Sequence, residues 1–298
     1  MADLPFDRKG EKRMKKVLNF LGVILLVVVV MFGIVIGEEY ARGYFFYLSR
    51  LHGEHSPLSL TPTALSKNSV TKPMGEWLQD SRVTMDNTMI LVSRDYPLSD
   101  GYEADLVEYN GAKMHPLMVE PYIALRDAVQ EKTGVRIYVS SDFRTAEKQA
   151  SLLEFYGPDR AAPVGCSEHE AGLSLDVYAP AHASYDFLRS PAGREVNRVC
   201  AEYGYIIRYD ADMKEITKID YEPWHLRYVG SPHARLITDS GLAYEEYIQA
   251  IRPEIWYAYE NYLILRTAII EELTLPASFA SCHISPDNTG CYVVTVRL

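Results

Sequence analysis

The sequence predicts an α+β protein in which helices pack on a small, mainly antiparallel sheet, preceded by one transmembrane helix. Three features indicate this class: an uncharged apolar run at residues 17–37, apolar side chains at helical spacing after residue 117, and short strand-like segments between the helices. Strands and helices without a regular βαβ alternation are typical of α+β folds. With 298 residues the chain is long enough for one or two domains.

Residues 17–37, VLNFLGVILLVVVVMFGIVIG, are long enough to cross a membrane. At about 1.5 Å per helical residue, such a run spans the roughly 30 Å of a hydrocarbon core. A buried soluble helix would need apolar neighbours on all sides, and a cleavable signal peptide should have a shorter apolar region that ends in small residues. The run instead ends in Gly37-Glu38-Glu39-Tyr40, so we expect a single-pass, uncleaved anchor in the cell membrane.

Charge is unevenly distributed along the chain, whose net charge is −10. Residues 1–16 carry six basic and three acidic side chains, which predicts a cytoplasmic basic tail under the positive-inside rule. Everything after the anchor would then be extracellular, beginning with a stalk at 38–86. Within it, YFFYLSRLHGEH could extend the helix, whereas SPLSLTPTALSKNSVTKP has the Ser, Thr and Pro content of a tether. Because this outer part is strongly acidic, we expect no nucleic acid partner.

The main globular domain is expected at residues 87–252, followed by a small β appendage at 253–298. A strand is predicted at TMILVS from Thr88, and a core helix at 118–132, where the apolar side chains share one face. Further strands are predicted at 135–140, 173–178, 205–208 and 226–229. Further helices are predicted to run through 152–156, 189–203 and 243–250, and the chain is expected to close with a hairpin.

The chain has four cysteines, Cys166, Cys200, Cys282 and Cys291, all in the part predicted to be extracellular, where disulfides can persist. Cys282 and Cys291 flank the turn-forming stretch SPDNTG, so either a hairpin-closing disulfide or two free thiols is expected there. Cys166 has a neighbour, His169, that already fits a metal site. We therefore expect Cys166 to be structural or unpaired.

Two short motifs contain the residue types of a metal site. SEHEAGLSLD, at 167–176, contributes His169 and Asp176, and EPWH, at 222–225, contributes Glu222 and His225. Two histidines and one carboxylate form a zinc triad with an open fourth position. We therefore predict one Zn²⁺ per chain, with Glu222 as the general base. Glu222 and His225 would face opposite sides of a regular strand, so Pro223 is expected to introduce a bend.

Arg144 is the candidate electrophile of this site. It follows the strand predicted at 135–140, and residues just past strand ends often handle substrate. A zinc hydrolase needs a positive group for the oxyanion that develops during attack. The combination of ligands, base and arginine predicts a hydrolase.

Together, SSDFRT, SEHEAGLSLD and EPWHLRYVG resemble the VanY-type D-alanyl-D-alanine carboxypeptidases, zinc metallopeptidases that trim cell-wall peptides. The resemblance runs from about residue 87 to residue 250. It implies that the triad binds zinc, that Glu222 is the general base and that Arg144 polarises the scissile carbonyl or stabilises the oxyanion. It also implies that Gln149 and Ser167 help to hold the terminal carboxylate of the substrate.

The chain departs from the usual family pattern at a few positions. The family usually has Ser-Gly-Tyr-Arg-Ser where this chain has SDFRT at 141–145, and alanine where this chain has Ser174. The stretch between Gln149 and Ser167 is also shorter than the family pattern implies. Asp142 adds a negative charge next to the region expected to meet the substrate carboxylate, and the shorter stretch implies a different pocket rim. The three predicted ligands and Arg144 are all present.

The resemblance implies an anchored enzyme that removes the terminal D-alanine from peptidoglycan stem peptides ending in D-Ala-D-Ala. The same zinc machinery fits an L,D-carboxypeptidase or a D,D-dipeptidase, which differ in pocket shape. A non-catalytic cell-wall-binding module is a further alternative, which the intact Glu222 disfavours.

Overall fold

The N-terminal apolar sequence forms part of one long helix. A computed structural model describes residues 8–51, 53–158 and 161–298, with the backbone alone for residues 8–16 and 19. Helix α1 (Arg8–Leu51) contains the predicted span at 17–37 and continues beyond it. By length and composition its residues Phe20–Leu51 could cross a membrane, and the apolar window is not buried in the protein. The predicted basic tail falls on residues 1–7 and on the side chains of 8–16, which are outside the described part.

The last turns of α1 contact the remainder of the protein. Gly43 lies against the backbone at Arg189, where an added Cβ would be 3.2 Å from the Arg189 nitrogen. The Arg189 guanidinium is 4.4 Å from the centroid of the Tyr40 ring, and Arg50 forms an ion pair with Asp210. A glycine at this crossing allows the helix to approach closely, so α1 is attached to the domain by its C-terminal turns.

The other regular elements follow α1 along the chain. In order they are β1 (Thr61–Thr63), β2 (Ser69–Pro73), α2 (Met74–Trp77), β3 (Val83–Met85), β4 (Val107–Tyr109), β5 (Ala112–Met114), α3 (Val119–Thr133), β6 (Tyr138–Ser141), α4 (Ala146–Tyr156), β7 (Ser174–Tyr178), α5 (Pro191–Val199), β8 (Tyr205–Ile207), α6 (Lys214–Thr217), β9 (His225–Tyr228), α7 (His233–Ser240), α8 (Tyr244–Ala250), β10 (Trp256–Tyr259), β11 (Tyr262–Thr267), β12 (Glu272–Pro276), β13 (Ser281–Pro286) and β14 (Tyr292–Arg297). Short 3₁₀ helices lie at Pro116–Met118, Ser184–Arg189 and Cys200–Tyr203.

A four-stranded antiparallel sheet in the order β6-β7-β9-β8 forms the centre of the domain. Helices α3 and α5 contribute to the same hydrophobic core through residues such as Leu125 and Val196, which meet Leu175 and Leu226 of the sheet. The α+β class is therefore confirmed. The helix predicted at 118–132 is α3, and the strands predicted at 173–178, 205–208 and 226–229 are β7, β8 and β9 within one or two residues.

A second, six-stranded sheet has the order β1-β10-β11-β14-β13-β3, and β2 pairs separately with β12. The stalk predicted for 38–86 is thus not observed, because this interval contains the end of α1 and three strands that pair with the C-terminal segment. Val and Thr, which are enriched in strands, make these segments compatible with β structure. The β structure expected at 253–298 is present, as the larger part of this sheet.

The strand predicted at TMILVS is absent, and that prediction was wrong. Residues 88–92 are irregular but buried: Met89 and Leu91 pack into one core, and Ile90 packs into the other. Successive side chains alternate between the two cores because the segment lies between them. The backbone carbonyls of Thr88 and Ile90 accept hydrogen bonds from Arg227 Nη2 at 2.9 and 2.7 Å. These side-chain hydrogen bonds take the place of the backbone hydrogen bonds that a neighbouring strand would form.

A hairpin that the sequence analysis missed connects β4 and β5. Its two turn residues, Asn110 and Gly111, have φ values of 51° and 81°. A two-residue turn with both φ angles positive is the arrangement that the Asn-Gly pair favours. The dipeptide was a sufficient signal for this hairpin.

All four cysteines are free thiols. Cys282 pairs in register with Val296 on β14, whereas Cys291 lies before that strand begins. The two cysteines are therefore not opposite each other across the hairpin, and of the two alternatives the free thiols are observed. Burial raises the pKa of Cys282 to about 12, which keeps this thiol protonated.

Candidate metal centre

Three side chains with metal-ligand chemistry converge at the central sheet. Asp176 on β7 lies directly opposite His225 on β9, and His169 comes from the loop before β7. One ligand atom from each lies within 4.8 Å of the other two. His225 Nδ1 is 3.0 Å from Asp176 Oδ1, and His169 Nε2 is 3.3 Å from Asp176 Oδ2. Two imidazole nitrogens and one carboxylate oxygen fit Zn²⁺ and leave a coordination position open.

The second nitrogen of each imidazole has an acceptor outside the cluster. His169 Nδ1 lies 2.8 Å from the carbonyl oxygen of Asp142, and His225 Nε2 lies 3.4 Å from Glu168 Oε2. When these nitrogens carry the protons, His169 Nε2 and His225 Nδ1 are free to bind a metal. Such outer hydrogen bonds orient ligating histidines and raise their basicity.

The two histidines of the cluster differ in their electrostatics: burial lowers the pKa of His169, whereas the surroundings of His225 favour its positive charge. Burial lowers the pKa of His225, but hydrogen bonds with Asp176 and Glu168 outweigh it and raise that pKa to about 9. Burial likewise raises the pKa of Asp176, but His169 and His225 hold it well below its usual range. Metal binding requires deprotonated ligands, so a bound divalent cation would take the place of the His225 proton and balance the negative charge of the same carboxylates.

Glu168 is a part of this site that the sequence analysis did not assign. It is fully buried and accepts a hydrogen bond at 2.8 Å from Arg208 Nε, while Arg227 Nη1 is 3.7 Å away. Burial raises its pKa, but the two arginines lower it to about 2. Arg208 also pairs with Glu245, at 2.5 Å. In the sequence, Glu168 could have been recognised by its position, because it directly precedes the predicted ligand His169.

Glu222 is brought to the cluster by a bend in the chain. The His225 amide donates to the Glu222 carbonyl oxygen at 3.0 Å, which closes a turn across Pro223. As a result Glu222 Oε2 is 3.9 Å from His225 Nδ1, so the predicted bend is observed. Burial raises the pKa of Glu222 to about 7, with a further upward effect of Asp176. A carboxylate with a pKa near neutrality is suited to general base catalysis.

Arg144 follows β6 and faces the cluster. Its Nη2 donates to Asp176 Oδ2 at 3.1 Å and to Ser141 Oγ at 2.9 Å, and its Nη1 donates to Gln149 Oε1 at 3.3 Å. Gln149 is itself fixed by a bond from Nε2 to the Ala162 carbonyl oxygen at 2.7 Å. The guanidinium is therefore held in one orientation beside the candidate metal ligands.

One cavity of about 490 Å³ is lined by all seven predicted site residues, His169, Asp176, His225, Glu222, Arg144, Gln149 and Ser167. Asp142, the acidic departure from the family pattern, accepts a hydrogen bond from the Lys113 amide at 2.6 Å. Its carboxylate thus anchors the loop to β5. Cys166, expected to be structural or unpaired, is a buried free thiol and is not among the clustered residues His169, Asp176 and His225.

Ser174, the other departure, has a buried Oγ without a hydrogen-bond partner among the described residues. An unsatisfied buried hydroxyl costs about 1–3 kcal/mol, so Ser174→Ala should raise the melting temperature by about 2–4 °C. Differential scanning calorimetry of the full chain in detergent measures this shift. Ser190→Ala is the matched control: Ser190 Oγ caps α5 by accepting from the Gly193 amide at 2.8 Å. That variant should melt lower, and equal destabilisation of both variants would contradict the expectation.

Fold and site define the class as a mixed α+β protein with a preformed His/Asp/His cluster, flanked by a carboxylate and an arginine in one cavity. Residues 111–231 match the family model described as VanY: D-alanyl-D-alanine carboxypeptidase. This chain belongs to the VanY family of D-alanyl-D-alanine carboxypeptidases, which confirms the resemblance seen in the motifs.

Individual relatives extend the comparison. A D-alanyl-D-alanine carboxypeptidase of Enterococcus faecium is 28% identical and covers 92% of this chain and 95% of its own length. The bifunctional D-Ala-D-Ala dipeptidase and D-Ala-D-Ala carboxypeptidase VanXYC of Enterococcus gallinarum is 33% identical over 54% of this chain and 93% of the relative. Among solved structures, VanYB in complex with D-Alanine-D-Alanine is 31% identical with a TM-score of 0.50, covering 55% of this chain and 99% of that one.

Proposed function

We propose that this protein is a membrane-anchored zinc D-alanyl-D-alanine carboxypeptidase that removes the C-terminal D-alanine from peptidoglycan stem peptides. One observation carries the proposal: His169, Asp176 and His225 converge within 4.8 Å in a cavity that also holds Glu222 and Arg144. Family membership supports the reaction, and the D-Ala-D-Ala bound by VanYB supports the substrate class.

His169, Asp176 and His225 would hold the metal ion. A bound zinc ion would supply Lewis acidity, which makes the attacking water a better nucleophile and polarises the scissile carbonyl. Glu222 accepts one proton from that water as the oxygen bonds to the carbonyl carbon. It then returns the proton to the leaving nitrogen as the peptide bond breaks. With its pKa near 7, Glu222 is suited both to take and to give this proton.

Arg144, Gln149 and Ser167 would position the substrate. The Arg144 guanidinium reaches the cluster from the segment after β6, where it can stabilise the negative charge that develops on the carbonyl oxygen. Gln149 orients this guanidinium through its Oε1 atom, and Ser167 lies in the same cavity. We assign Gln149 and Ser167 to the terminal carboxylate of the substrate, as the family resemblance implies.

The anchor would be the apolar part of α1, with the N-terminus in the cytoplasm and the catalytic domain, at about 87–252, outside. Tyr40, which contacts Arg189, lies three residues after Gly37, or roughly 4.5 Å along the helix. This short separation would hold the domain close to the membrane surface. Protease added to intact cells should cleave the region after residue 53 and leave residues 1–16 intact; protection of the domain would contradict this orientation.

Metal analysis combined with a stem-peptide assay tests the activity. The purified full chain should contain one zinc per chain and release D-alanine from a pentapeptide ending in D-Ala-D-Ala. A strong chelator should abolish release, and added Zn²⁺ should restore it. The dipeptide product should be scored as well, because VanXYC is both a dipeptidase and a carboxypeptidase. Release of D-alanine from the tetrapeptide alone would instead identify an L,D-carboxypeptidase and contradict the proposal.

A further inference from the structure

A second cleft of about 320 Å³ adjoins the active-site cavity. It lies between the turn of the β4–β5 hairpin, at Asn110-Gly111, and strand β6, and helix α3 contributes Tyr122 to its lining. Ser140 and Asp142 line both this cleft and the active-site cavity. The two spaces are therefore neighbours along β6, and a ligand could extend from one into the other.

The positive charge in this cleft comes from two arginines with different surroundings, and the one carboxylate in its lining, Asp142, accepts a hydrogen bond from the Lys113 amide. Arg126 is already paired: its Nε donates to Asp127 Oδ1 at 2.7 Å, and its Nη1 donates to Tyr109 Oη at 2.8 Å. Arg136 forms no ion pair with a carboxylate among the described residues, and its Nε is buried without a hydrogen-bond partner there. Its guanidinium carbon lies 5.9 Å from the centroid of the Tyr138 ring.

A buried donor without an acceptor is costly, and the buried Nε of Arg136 has no acceptor among the described residues, so we expect a ligand in this cleft to supply one. The planar fork of arginine matches a carboxylate, which can accept two parallel hydrogen bonds. Tyr122 adds a phenol to the same cleft, and burial raises its pKa to about 12, which keeps it a donor. Arg126, Arg136 and Tyr122 thus place three hydrogen-bond donors in one cleft of a chain whose net charge is −10, and this grouping is a specific feature of the cleft.

The chain runs from Arg136 in this cleft along β6 to Ser141 beside the metal cluster, where the scissile bond would lie. Ser141 pairs with Asp176 of the metal cluster, and Arg136 lies five residues earlier, roughly 16 Å away if the chain is extended. β6 is an edge strand of its sheet, next to which an extended peptide can lie. Four residues of an extended peptide span roughly 13 Å. A substrate side chain two to four positions before the scissile bond therefore comes within reach of Arg136.

We propose that this cleft is a subsite for a substrate carboxylate located two to four residues before the scissile bond, bound by Arg136. The inference rests on the proposed carboxypeptidase function and narrows its substrate to peptides that carry an acidic residue upstream of D-Ala-D-Ala. The same residue as an uncharged amide would lose the charge-assisted hydrogen bonds to the guanidinium.

Paired peptides test the subsite. Each pair ends in D-Ala-D-Ala and carries either glutamate or glutamine at the second, third or fourth position before the scissile bond. With the full chain in detergent, kcat/KM should favour the glutamate peptide by about tenfold or more at one of these positions. Arg136→Gln should reduce this preference to within about twofold, mainly through KM. Arg136→Lys should keep part of it, because the charge remains while the fork is lost.

The preference is the ratio of the kcat/KM values that one enzyme preparation gives for the glutamate and the glutamine peptide. A partial loss of folded protein lowers both values equally and does not change this ratio. Arg235→Gln is the control, since Arg235 is exposed, near Asp239 and Glu260, and away from both cavities. It should leave the preference unchanged. Equal rates for both peptides in the wild type, or a preference that survives in Arg136→Gln, would overturn the subsite alone. Absence of D-alanine release from every peptide would overturn the proposed function and the subsite with it.

Discussion

Glu222→Gln should lower kcat by about 10²–10⁴-fold while the protein still binds one zinc ion. The substitution keeps the size of the side chain and removes its ability to accept a proton from water. Glu222 lies 3.9 Å from His225 but is not one of the three clustered ligands, so metal content should not change. Release of D-alanine from the pentapeptide measures turnover, and elemental analysis measures zinc in the same preparation.

Asp220→Asn is the matched control for Glu222→Gln. Asp220 lines the same cavity, but its side chain is 51% exposed and pairs with Lys214 at 2.7 Å. Removing this charge should change kcat by less than about threefold. Near-normal turnover of Glu222→Gln would remove Glu222 from the role of general base, and loss of zinc in that variant would make it a ligand instead.

Glu168→Gln should weaken zinc binding by about 10–100-fold and lower the free energy of unfolding by roughly 3–5 kcal/mol. Two different contacts are responsible. Loss of charge weakens the hydrogen bond to His225 Nε2, which orients that ligand and raises its basicity. It also deprives Arg208 of a fully buried ionic partner at 2.8 Å. Competition with a chromophoric chelator gives the zinc affinity, and urea unfolding gives the stability.

Glu245→Gln separates these two effects. Glu245 pairs with the same Arg208, at 2.5 Å, and has no contact with the candidate ligands. This variant should lose stability comparably and bind zinc within about threefold of wild type. If both variants lose zinc affinity to the same extent, Glu168 acts through general destabilisation and is not a positioning residue for His225.

The site could be predicted from the sequence because its residues lie in two compact motifs. SEHEAGLSLD and EPWH contain the three candidate ligands and Glu222, and the turn at Pro223 was expected from local backbone chemistry. Arg136 and Glu168 could not be assigned in this way. Their roles depend on their surroundings in the folded protein. Glu168 is buried against Arg208, and the buried Nε of Arg136 has no acceptor among the described residues.

The fold was predictable where periodicity reflects a single buried face. Helix α3 and strands β7 and β9 each present one apolar face to the central core, so their patterns were informative. The segment at Met89 and Leu91 alternates as well, but between two cores, and the same pattern therefore suggested a strand that does not exist. Pairing of residues 61–85 with the C-terminal strands depends on contacts distant in sequence, which local composition does not encode.

The sequence by itself determined the apolar segment able to span a membrane, the residue types of a metal site and the α+β class. These properties depend on neighbouring residues, through helical rise, side-chain chemistry and short periodic patterns. Only the tertiary structure decided that β1 and β3 share one six-stranded sheet with the C-terminal strands, that Glu168 supports His225 and that Arg136 lines a cleft beside the active site. Burial and pairing of charges are properties of the assembled core, because they depend on which distant segments remove a side chain from water.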